Sequence, residues 1–372
     1  MNPKTINVLF LIYDLERGGP ELRLLDFAKY FPESINMHIC VTSEKLTLLG
    51  KFRDLNVRTK VVPIIKPYLS FLKILKILSF YKTNNVKIIN AYDLKGLMIA
   101  STIKMTTLFK SKIIYHNVNS LIQFSNSQLL LFRLISKLSD AFICNSKFSK
   151  NELQKLVPRT KIHIIYNGLN QLLFTKNPLL RKQTRSNLDI QKDDVVIGII
   201  ANFRKQKNYP FLLTAFEILS SKYCYLKLLC VGGGEYLEQS KAIVKSRNLK
   251  RKVIFTGYTE KVLECLSAID LLVLPSLWEG LPNALLQAMS MEIPVVVSNV
   301  GGCSEIVHHR VNGILFRSND SRNFIRHLEE LINDRTLANK LGHRARRSVE
   351  EKFSMDRMIN EYTAFFKQLL ES

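Results

Sequence analysis

The stretch "LLVLPSLWEGLPNALLQAMSMEIPVVVSN" (residues 271–299) decides the fold class. It opens with a mostly apolar run at 271–276 and ends with another at 294–299. Between them, a loop rich in Gly and Pro leads into residues 284–291, which have helical spacing. Continuous apolar runs are typical of strands buried on both faces. Strand, helix and strand in this order predict a parallel βαβ unit.

The same alternation runs through the whole chain in two series. The first series of predicted strands covers residues 6–13, 37–43, 59–64, 86–92, 111–117, 141–146 and 161–168. The second covers residues 195–203, 226–234, 253–258, 271–276, 294–299 and 313–316. A polar, basic stretch without a predicted strand, residues 167–194, separates the two series.

We therefore predict an α/β protein made of two Rossmann-like domains with parallel sheets. The N-terminal domain covers residues 1–175, and the C-terminal domain covers residues 176–355. An amphipathic helix at about 356–372 is predicted to cross back to the first domain.

Composition narrows the class of partner. The chain has 372 residues, of which 47% are hydrophobic and 23% charged, so it is globular and not disordered. Its net charge of +23 favours anionic partners such as nucleotides, phosphates, nucleic acid or lipid head groups. The basic residues are dispersed and follow no known nucleic-acid-binding module, so nucleic acid is not an expected partner.

The sequence also indicates a compartment. The six cysteines are scattered and lack metal-ligand spacing, which predicts buried, reduced thiols in a cytosolic protein. The apolar run near the N-terminus is too short for a signal peptide, and no stretch is long enough to span a bilayer. We expect a cytoplasmic protein. The basic segment at 66–82 has two interpretations: contact with the anionic inner leaflet, or a helix packed on the first sheet with its lysines outward.

Ligands of doubly wound sheets bind at the carboxyl ends of the strands, so the residues that follow each strand are the candidates. Gly18 and Gly19 follow the first strand, and His116 ends the fifth. Each has a structural alternative: a plain tight turn for the glycines, and a satisfied structural side chain for His116. Arg204 and Lys207 are cations that suit a diphosphate, or form a solvated basic turn.

Other ligand classes lack their motifs. The chain contains neither a complete Gly-x-Gly-x-x-Gly fingerprint nor a P-loop. It contains no Asp-x-Asp pair to hold a metal on a diphosphate. We therefore expect no metal and no cofactor, with charge neutralisation by Arg204, Lys207 and helix dipoles.

The loop within the opening stretch carries a carboxylate, Glu279, just before a predicted helix. Gln287 follows eight positions later, inside that helix. The free N–H groups at the start of the helix favour a bound anion. A capped core helix would explain the helix itself, but not a loop carboxylate beside Trp278.

In their order and spacing, several segments resemble the retaining GT-B glycosyltransferases of family four. These are "ERGGPELRLLDFAKYF" (16–31), "YHN" (115–117), "FICNSKFSKNEL" (142–153), "ANFRKQKN" (201–208), "CVGGGEYLE" (230–238) and the stretch from 270 onward. The resemblance implies a GT-B fold, in which two Rossmann-like domains face each other across a cleft. It also implies a UDP or GDP type sugar donor, a lipid-linked or oligosaccharide acceptor, and transfer with retention of configuration.

The resemblance assigns roles to residues of this chain. It implies catalytic roles for His116, Arg204, Lys207 and Glu279. The positions that it implies for donor binding, besides Arg204, Lys207 and Glu279, are Gly18, Gly19, Gly232, Gly234, Gly257, Tyr258, Gly280, Leu281, Pro282, Asn283 and Gln287.

Three positions depart from the family pattern. Gln287 replaces a Glu that contacts the ribose, Glu292 replaces a Gly, and Asn170 replaces an Asp. The first departure leaves open a second hypothesis, a degenerate partner subunit that has kept the fold but lost full affinity for the donor. The other two departures look structural.

Overall fold

The protein contains two parallel β-sheets, one in each of the two units into which the chain divides. The computed structural model describes residues 5–16, 18–64, 71–108, 110–117, 124–158 and 161–371. The first unit comprises Met1–Tyr166 with Asp356–Ser372, and the second comprises Asn167–Met355. All thirteen predicted strands are present among the described residues.

The sheet of the first unit has the strand order β3-β2-β1-β4-β5-β6-β7 over the described residues, and every pairing is parallel. The strands are β1 (Ile6–Ile12), β2 (Ile35–Val41), β3 (Arg58–Val61), β4 (Ile88–Ala91), β5 (Lys112–Asn117), β6 (Ala141–Cys144) and β7 (Ile162–Ile164).

Helices alternate with these strands, as crossovers between parallel strands require. They are α1 (Gly19–Tyr30), α2 (Leu49–Asp54), α3 (Phe71–Thr83), α4 (Leu94–Thr106), α5 (Asn126–Ile135) and α6 (Lys147–Leu153). Helix α3 covers residues 71–82 of the basic segment 66–82 and ends one residue beyond it, while residues 66–70 lie outside the described residues.

The last helix of the chain, which we call α15 (Met355–Glu371), packs on the first unit, as its amphipathic pattern predicted. Tyr362 lies edge-on to Phe27 with ring centroids 4.7 Å apart, and Phe366 lies 6.0 Å from Phe31. Tyr362 and Phe366 are almost fully buried. Burial of each ring contributes on the order of 2 kcal/mol, enough to fix the helix on α1.

The second unit contains the second sheet, with the order β10-β9-β8-β11-β12-β13 over the described residues, again all parallel. Its strands are β8 (Val195–Ile200), β9 (Leu226–Val231), β10 (Val253–Gly257), β11 (Leu271–Leu274), β12 (Val295–Ser298) and β13 (Ile314–Phe316). Its helices are α7 (Pro178–Asn187), α8 (Tyr209–Lys222), α9 (Leu237–Ser246), α10 (Val262–Ala268), α11 (Asn283–Ser290), α12 (Cys303–Ile306), α13 (Ser321–Asn333) and α14 (Arg335–Lys352).

The division between the units falls at 166/167, upstream of the predicted 175/176. Leu169 explains the difference. Its amide donates to Phe353 O at 2.8 Å, and its carbonyl accepts from the Met355 amide at 3.0 Å. The chain that follows Tyr166 is therefore bonded to the end of the second unit and belongs with it.

The strand order of the second sheet determines where a ligand can bind. The chain moves outward from β8 to β9 and β10, then returns to pair β11 with the other side of β8. The crossovers that follow β8 and β11 therefore run in opposite directions along the sheet, and a crevice opens at the carboxyl ends of these two strands. In the first sheet the same reversal occurs between β1 and β4.

No helix in the described part of the chain is long and apolar enough to cross a membrane.

Candidate active site

Glu279 lies where the loops after β8 and β11 meet at the carboxyl end of the second sheet. The loop after β11 carries it, and Pro282 then caps the start of α11 at Asn283. Only 5% of Glu279 is exposed. A buried carboxylate is costly unless charge and hydrogen bonds compensate it, so its partners define the site.

Three donors converge on the Glu279 carboxylate. Lys207 Nζ forms an ion pair with Oε1. Ser276 Oγ donates to the same oxygen at 2.6 Å, and Gln206 Nε2 lies 3.3 Å from Oε2. The charge of Glu279 is therefore both paired and hydrogen-bonded.

The loop after β8 supplies two of these donors. Residues 205–207 form a single 3-10 turn, and Asn208, at φ +55°, redirects the chain into α8. Left-handed backbone of this kind is tolerated well by Asn. Arg204 precedes the turn and is exposed, and no ion pair joins it to another described residue. Lys207 and Arg204 thus lie on one loop, the first paired with Glu279 and the second open to an anion.

Two glycines after β12 allow close backbone packing behind Glu279. A Cβ on Gly301 would lie 1.8 Å from the Glu279 carbonyl oxygen, and one on Gly302 would lie 1.9 Å from that of Gly280. The Gly302 amide donates to Gly280 O at 2.9 Å. Side chains at these positions would displace the loop that carries the carboxylate.

The predicted glycines after β9 have a similar structural task. Gly232 and Gly234 have φ of +139° and +143°, and a Cβ on either would approach the 201–203 backbone within 2.6 Å. Gly257 has a φ of +66°, and its carbonyl accepts from the Gly232 amide at 3.0 Å. The following Tyr258 is 49% exposed. These glycines allow the loop after β8 to pack against the loops after β9 and β10. This packing accounts for glycine at these positions without a bound ligand.

Helix α11 presents the remaining predicted donor-site residues. Asn283 Oδ1 accepts from Asn167 Nδ2 at 3.0 Å, and the Leu281 carbonyl accepts more weakly from the same amide at 3.4 Å. Leu281 itself is buried, whereas Gln287 is half-buried. Gln287 lies four positions after Asn283, so both side chains project from one face of the helix.

The first unit places His116 in its interior. The residue is 2% exposed, and His116 Nε2 lies 3.0 Å from Tyr362 Oη. Among the described residues, Nδ1 has no hydrogen-bond partner. Burial, reinforced by the nearby charge of Arg23, lowers the pKa of His116 to about 3. The imidazole is therefore neutral near pH 7 and suited to a hydrogen bond more than to a positive charge.

Gly18 and Gly19 lie at the amino end of α1, with Gly18 as the N-cap. A Cβ on Gly18 would lie 2.3 Å from Glu21 Oε2, so the Glu21 carboxylate lies against this helix end. An acidic side chain in the first turn of a helix is favoured by the helix dipole.

The two departures that we interpreted as structural have local explanations. Glu292 follows α11 at φ +56°, a conformation that favours Gly, and its carboxylate pairs with Lys176 at 2.7 Å and with His343 at 3.0 Å. Burial raises the pKa of Glu292, but the hydrogen bonds and charges of Lys176 and His343 prevail, and the net pKa is below its usual value. Asn170 caps a 3-10 turn by accepting from the Leu172 amide at 3.1 Å, as an Asp would.

Two members of the site, Ser276 and Gln206, were missed by sequence reasoning. Both follow strands of the second sheet, which was the available signal. The residue types gave no indication of a functional role, because Ser and Gln are common in loops.

Family comparisons cover most of the chain. Residues 17–171 match the family described as Glycosyltransferase Family 4, and residues 181–348 match the family described as Glycosyl transferases group 1.

Curated relatives agree with these families. N-acetyl-alpha-D-glucosaminyl L-malate synthase of Bacillus anthracis is 29% identical over 255 residues, 68% of this chain and 64% of that protein. UDP-Gal:alpha-D-GlcNAc-diphosphoundecaprenol alpha-1,3-galactosyltransferase of Escherichia coli is 28% identical over 206 residues, 54% of this chain and 52% of that protein. The chain thus matches less than two thirds of the length of these relatives.

Among solved structures, HepE of Anabaena in complex with UDP-glucose has the same fold. It superposes with a TM-score of 0.88 at 20% identity, covering 98% of this chain and all of that one. The fold is thus the GT-B type expected from the sequence, with two Rossmann-like domains. Because the two family models together match residues 17–171 and 181–348, the chain belongs to the glycosyltransferases of the family 4 and group 1 type.

Proposed function

We propose that the protein transfers a sugar from a nucleotide diphosphate sugar, of UDP or GDP type, to a lipid-linked or oligosaccharide acceptor in the synthesis of a cell-surface polysaccharide. Transfer retains the anomeric configuration and uses no metal. The observation that carries the proposal is the buried Glu279 paired with Lys207 in the crevice of the second sheet. The acceptor class is that of the Escherichia coli relative, whose name specifies a UDP sugar and a diphosphoundecaprenol acceptor.

In this proposal the site stabilises a departing diphosphate. Arg204 and Lys207 supply positive charge, and the first amides of α11 add donors. Glu279 accepts a hydrogen bond from a sugar hydroxyl. The leaving phosphate helps to deprotonate the acceptor hydroxyl on the same face. The contacts with the sugar that the resemblance implies for His116 and the Gly18–Gly19 turn stay predictions. The chain contributes positioning and electrostatic stabilisation more than covalent chemistry.

The degenerate-partner hypothesis rests on Gln287 alone. Against it, Glu279, Lys207 and Arg204 are all present, and the first two already form a compensated pair. The hypothesis of an active glycosyltransferase therefore has more support than that of a degenerate partner subunit.

The decisive experiment is turnover with a panel of UDP-glucose, UDP-galactose, UDP-N-acetylglucosamine and GDP-mannose, followed by mass spectrometry. We expect hydrolysis or transfer with one donor, unaffected by EDTA, and thermal stabilisation by the matching nucleotide diphosphate. If no donor reacts and no nucleotide stabilises the protein, the degenerate-partner hypothesis replaces ours.

We further propose that the protein is cytoplasmic and binds peripherally to an anionic membrane through α3. Ile77 and Tyr81 of this helix are buried in the core, so it does pack on the sheet. Its outer side is nevertheless unusual, because Leu72 is 74% and Leu75 is 41% exposed beside the exposed Lys76. Exposed leucines flanked by lysines are typical of helices that lie in a membrane interface.

Charge identifies the kind of membrane. From Leu55 to Ser139 the sequence contains 13 Lys and Arg residues and a single acidic residue, Asp93. Such a region attracts anionic lipid head groups, by about 1 kcal/mol for each cation near the surface.

Vesicle sedimentation tests this part of the proposal. We expect binding to phosphatidylcholine vesicles that contain phosphatidylglycerol, and weaker binding of the Leu72→Ser/Leu75→Ser and Lys76→Glu variants. Leu179→Ser is the matched control, since Leu179 is 80% exposed on α7 of the other unit. Equal binding of all variants, or equal binding to vesicles without phosphatidylglycerol, contradicts the proposal.

A further inference from the structure

We infer that Ser276 and Gln206 are positioning residues that fix the carboxylate of Glu279 in the direction needed to read the donor sugar. The inference rests on the proposed function and assigns these two side chains a role within it.

Ser276 is held rigidly. It is fully buried at the carboxyl end of β11, and its carbonyl accepts from Ser298 Oγ of β12 at 2.6 Å. Its own hydroxyl donates to Glu279 Oε1 at 2.6 Å. Because the sheet fixes the backbone of Ser276, this short hydrogen bond also restricts the orientation of the Glu279 side chain.

Gln206 ties two loops together. Its carbonyl accepts from the Leu277 amide at 2.8 Å, and its Nε2 donates to Trp278 O at 2.7 Å. The same nitrogen reaches Glu279 Oε2 at 3.3 Å. The turn that carries Lys207 and the loop that carries Glu279 therefore behave as one element.

These contacts determine which part of the carboxylate a ligand can use. An ionised carboxylate offers about four acceptor positions, two on each oxygen. Lys207 and Ser276 occupy both positions on Oε1, and Gln206 occupies one on Oε2. The remaining position on Oε2 is the one that a sugar hydroxyl would use.

If the two residues act through Glu279, their loss should affect the sugar and not the nucleotide. The bond from Ser276 to a charged oxygen is of the stronger class. We expect Ser276→Ala to lower kcat/KM for the best nucleotide sugar of the panel by about 10- to 100-fold. The Kd of UDP or GDP alone should stay within about twofold, because Glu279 is assigned to the sugar. Gln206→Leu should act in the same direction.

The experiment compares these variants with two controls. Ser276→Thr keeps the hydroxyl and should restore most of the activity. Ser220→Ala removes another buried serine hydroxyl, on α8 and outside the site, and should match the wild type. In a Glu279→Ala background, Ser276→Ala should add less than about twofold, because residues that act as a unit are not additive.

Wild-type activity in Ser276→Ala and Gln206→Leu, or an undiminished effect of Ser276→Ala in the Glu279→Ala background, would overturn the inference alone. If Ser276→Ala does not fold, Gln206→Leu decides instead, through its activity alone and its effect in the Glu279→Ala background. Failure of the wild type to use any donor of the panel would overturn the proposed function, and this inference with it.

Discussion

Lys207 and Glu279, separated by 72 positions in the sequence, form an ion pair in which 16% of the lysine side chain and 5% of the glutamate side chain are exposed. Each residue follows one of the two central strands of the second sheet, where the strand order reverses. Under the proposed function, these two opposite charges are held in a fixed arrangement at the donor site. Fixed charges need little reorganisation during the reaction, which is the condition for electrostatic catalysis.

Removing one partner of this pair should destabilise the fold. Lys207→Met leaves a buried carboxylate without its cation, and we expect a loss of about 3 kcal/mol in the free energy of unfolding, measured with urea. Lys207→Met/Glu279→Gln removes both charges and should recover much of that loss. A single variant as stable as the wild type would show that the pair is solvated.

Glu279→Ala should remove most turnover. The lost hydrogen bonds to a charged acceptor correspond to about 1.5–3 kcal/mol each, or a factor of about 10 to 150 in rate. Initial rates with the preferred donor measure the effect. Glu238→Ala is the control, because the Glu238 side chain is 80% exposed on α9. Near-full kcat in Glu279→Ala would refute the assignment of this loop.

Gln287→Glu should leave the protein active and change mainly its affinity for the donor. A carboxylate accepts stronger hydrogen bonds from ribose hydroxyls than an amide does, so we expect a change in nucleotide Kd of up to about tenfold. Calorimetric titration with UDP and GDP would measure it. A collapse of kcat at unchanged Kd would place Gln287 in a different role.

Gly302→Ala should impair both folding and turnover. The added Cβ would lie 1.9 Å from Gly280 O, and it can be accommodated only if the Glu279 loop moves. Gly50→Ala is a suitable control, since a Cβ on Gly50, within α2, meets no atom within 4 Å. The control should be neutral or slightly stabilising, by up to about 1 kcal/mol. Thermal unfolding and donor turnover measure both effects, and equal results for the two variants would contradict the packing argument.

Two buried histidines of the first unit should contribute less stability in mild acid than at neutral pH. Burial lowers the pKa of His116 to about 3 and that of His38 to about 4, with smaller contributions from Arg23 and Arg58 respectively. Both pKa values lie below the ordinary value near 6.5, so below pH 6.5 the unfolded state binds protons that the folded state does not. The contribution of the two histidines should be level above about pH 7 and fall by up to about 1.4 kcal/mol per pH unit for each histidine towards pH 4. Burial raises the pKa of Asp26 and Asp93 in the same unit, so these two carboxyls act in the opposite direction.

The variant His116→Gln tests the assignment. Its unfolding free energy should run parallel to that of the wild type above pH 7 and fall less steeply between pH 6.5 and pH 4. An unchanged slope in that window would mean that His116 is already protonated in the folded protein.

The sequence by itself determined the alternation of strands and helices, because strands buried on both faces must be continuous apolar runs. It also located Glu279, Arg204 and Lys207, since charged residues that directly follow such strands lie at the edge where ligands bind. The left-handed backbone at Glu292 was signalled only as a departure from a glycine.

The tertiary structure alone decided which groups meet. Ser276 and Gln206 gained a role only when the reversal of strand order brought the β8 and β11 loops together around Glu279. The partner of His116 is Tyr362, 246 positions later in α15. Residues 167–175, predicted as the end of the first domain, belong to the second unit through Leu169. The local hydrophobic pattern of a sequence indicates which residues must be buried. Contacts between residues far apart in the sequence depend instead on the order of the strands in the sheets.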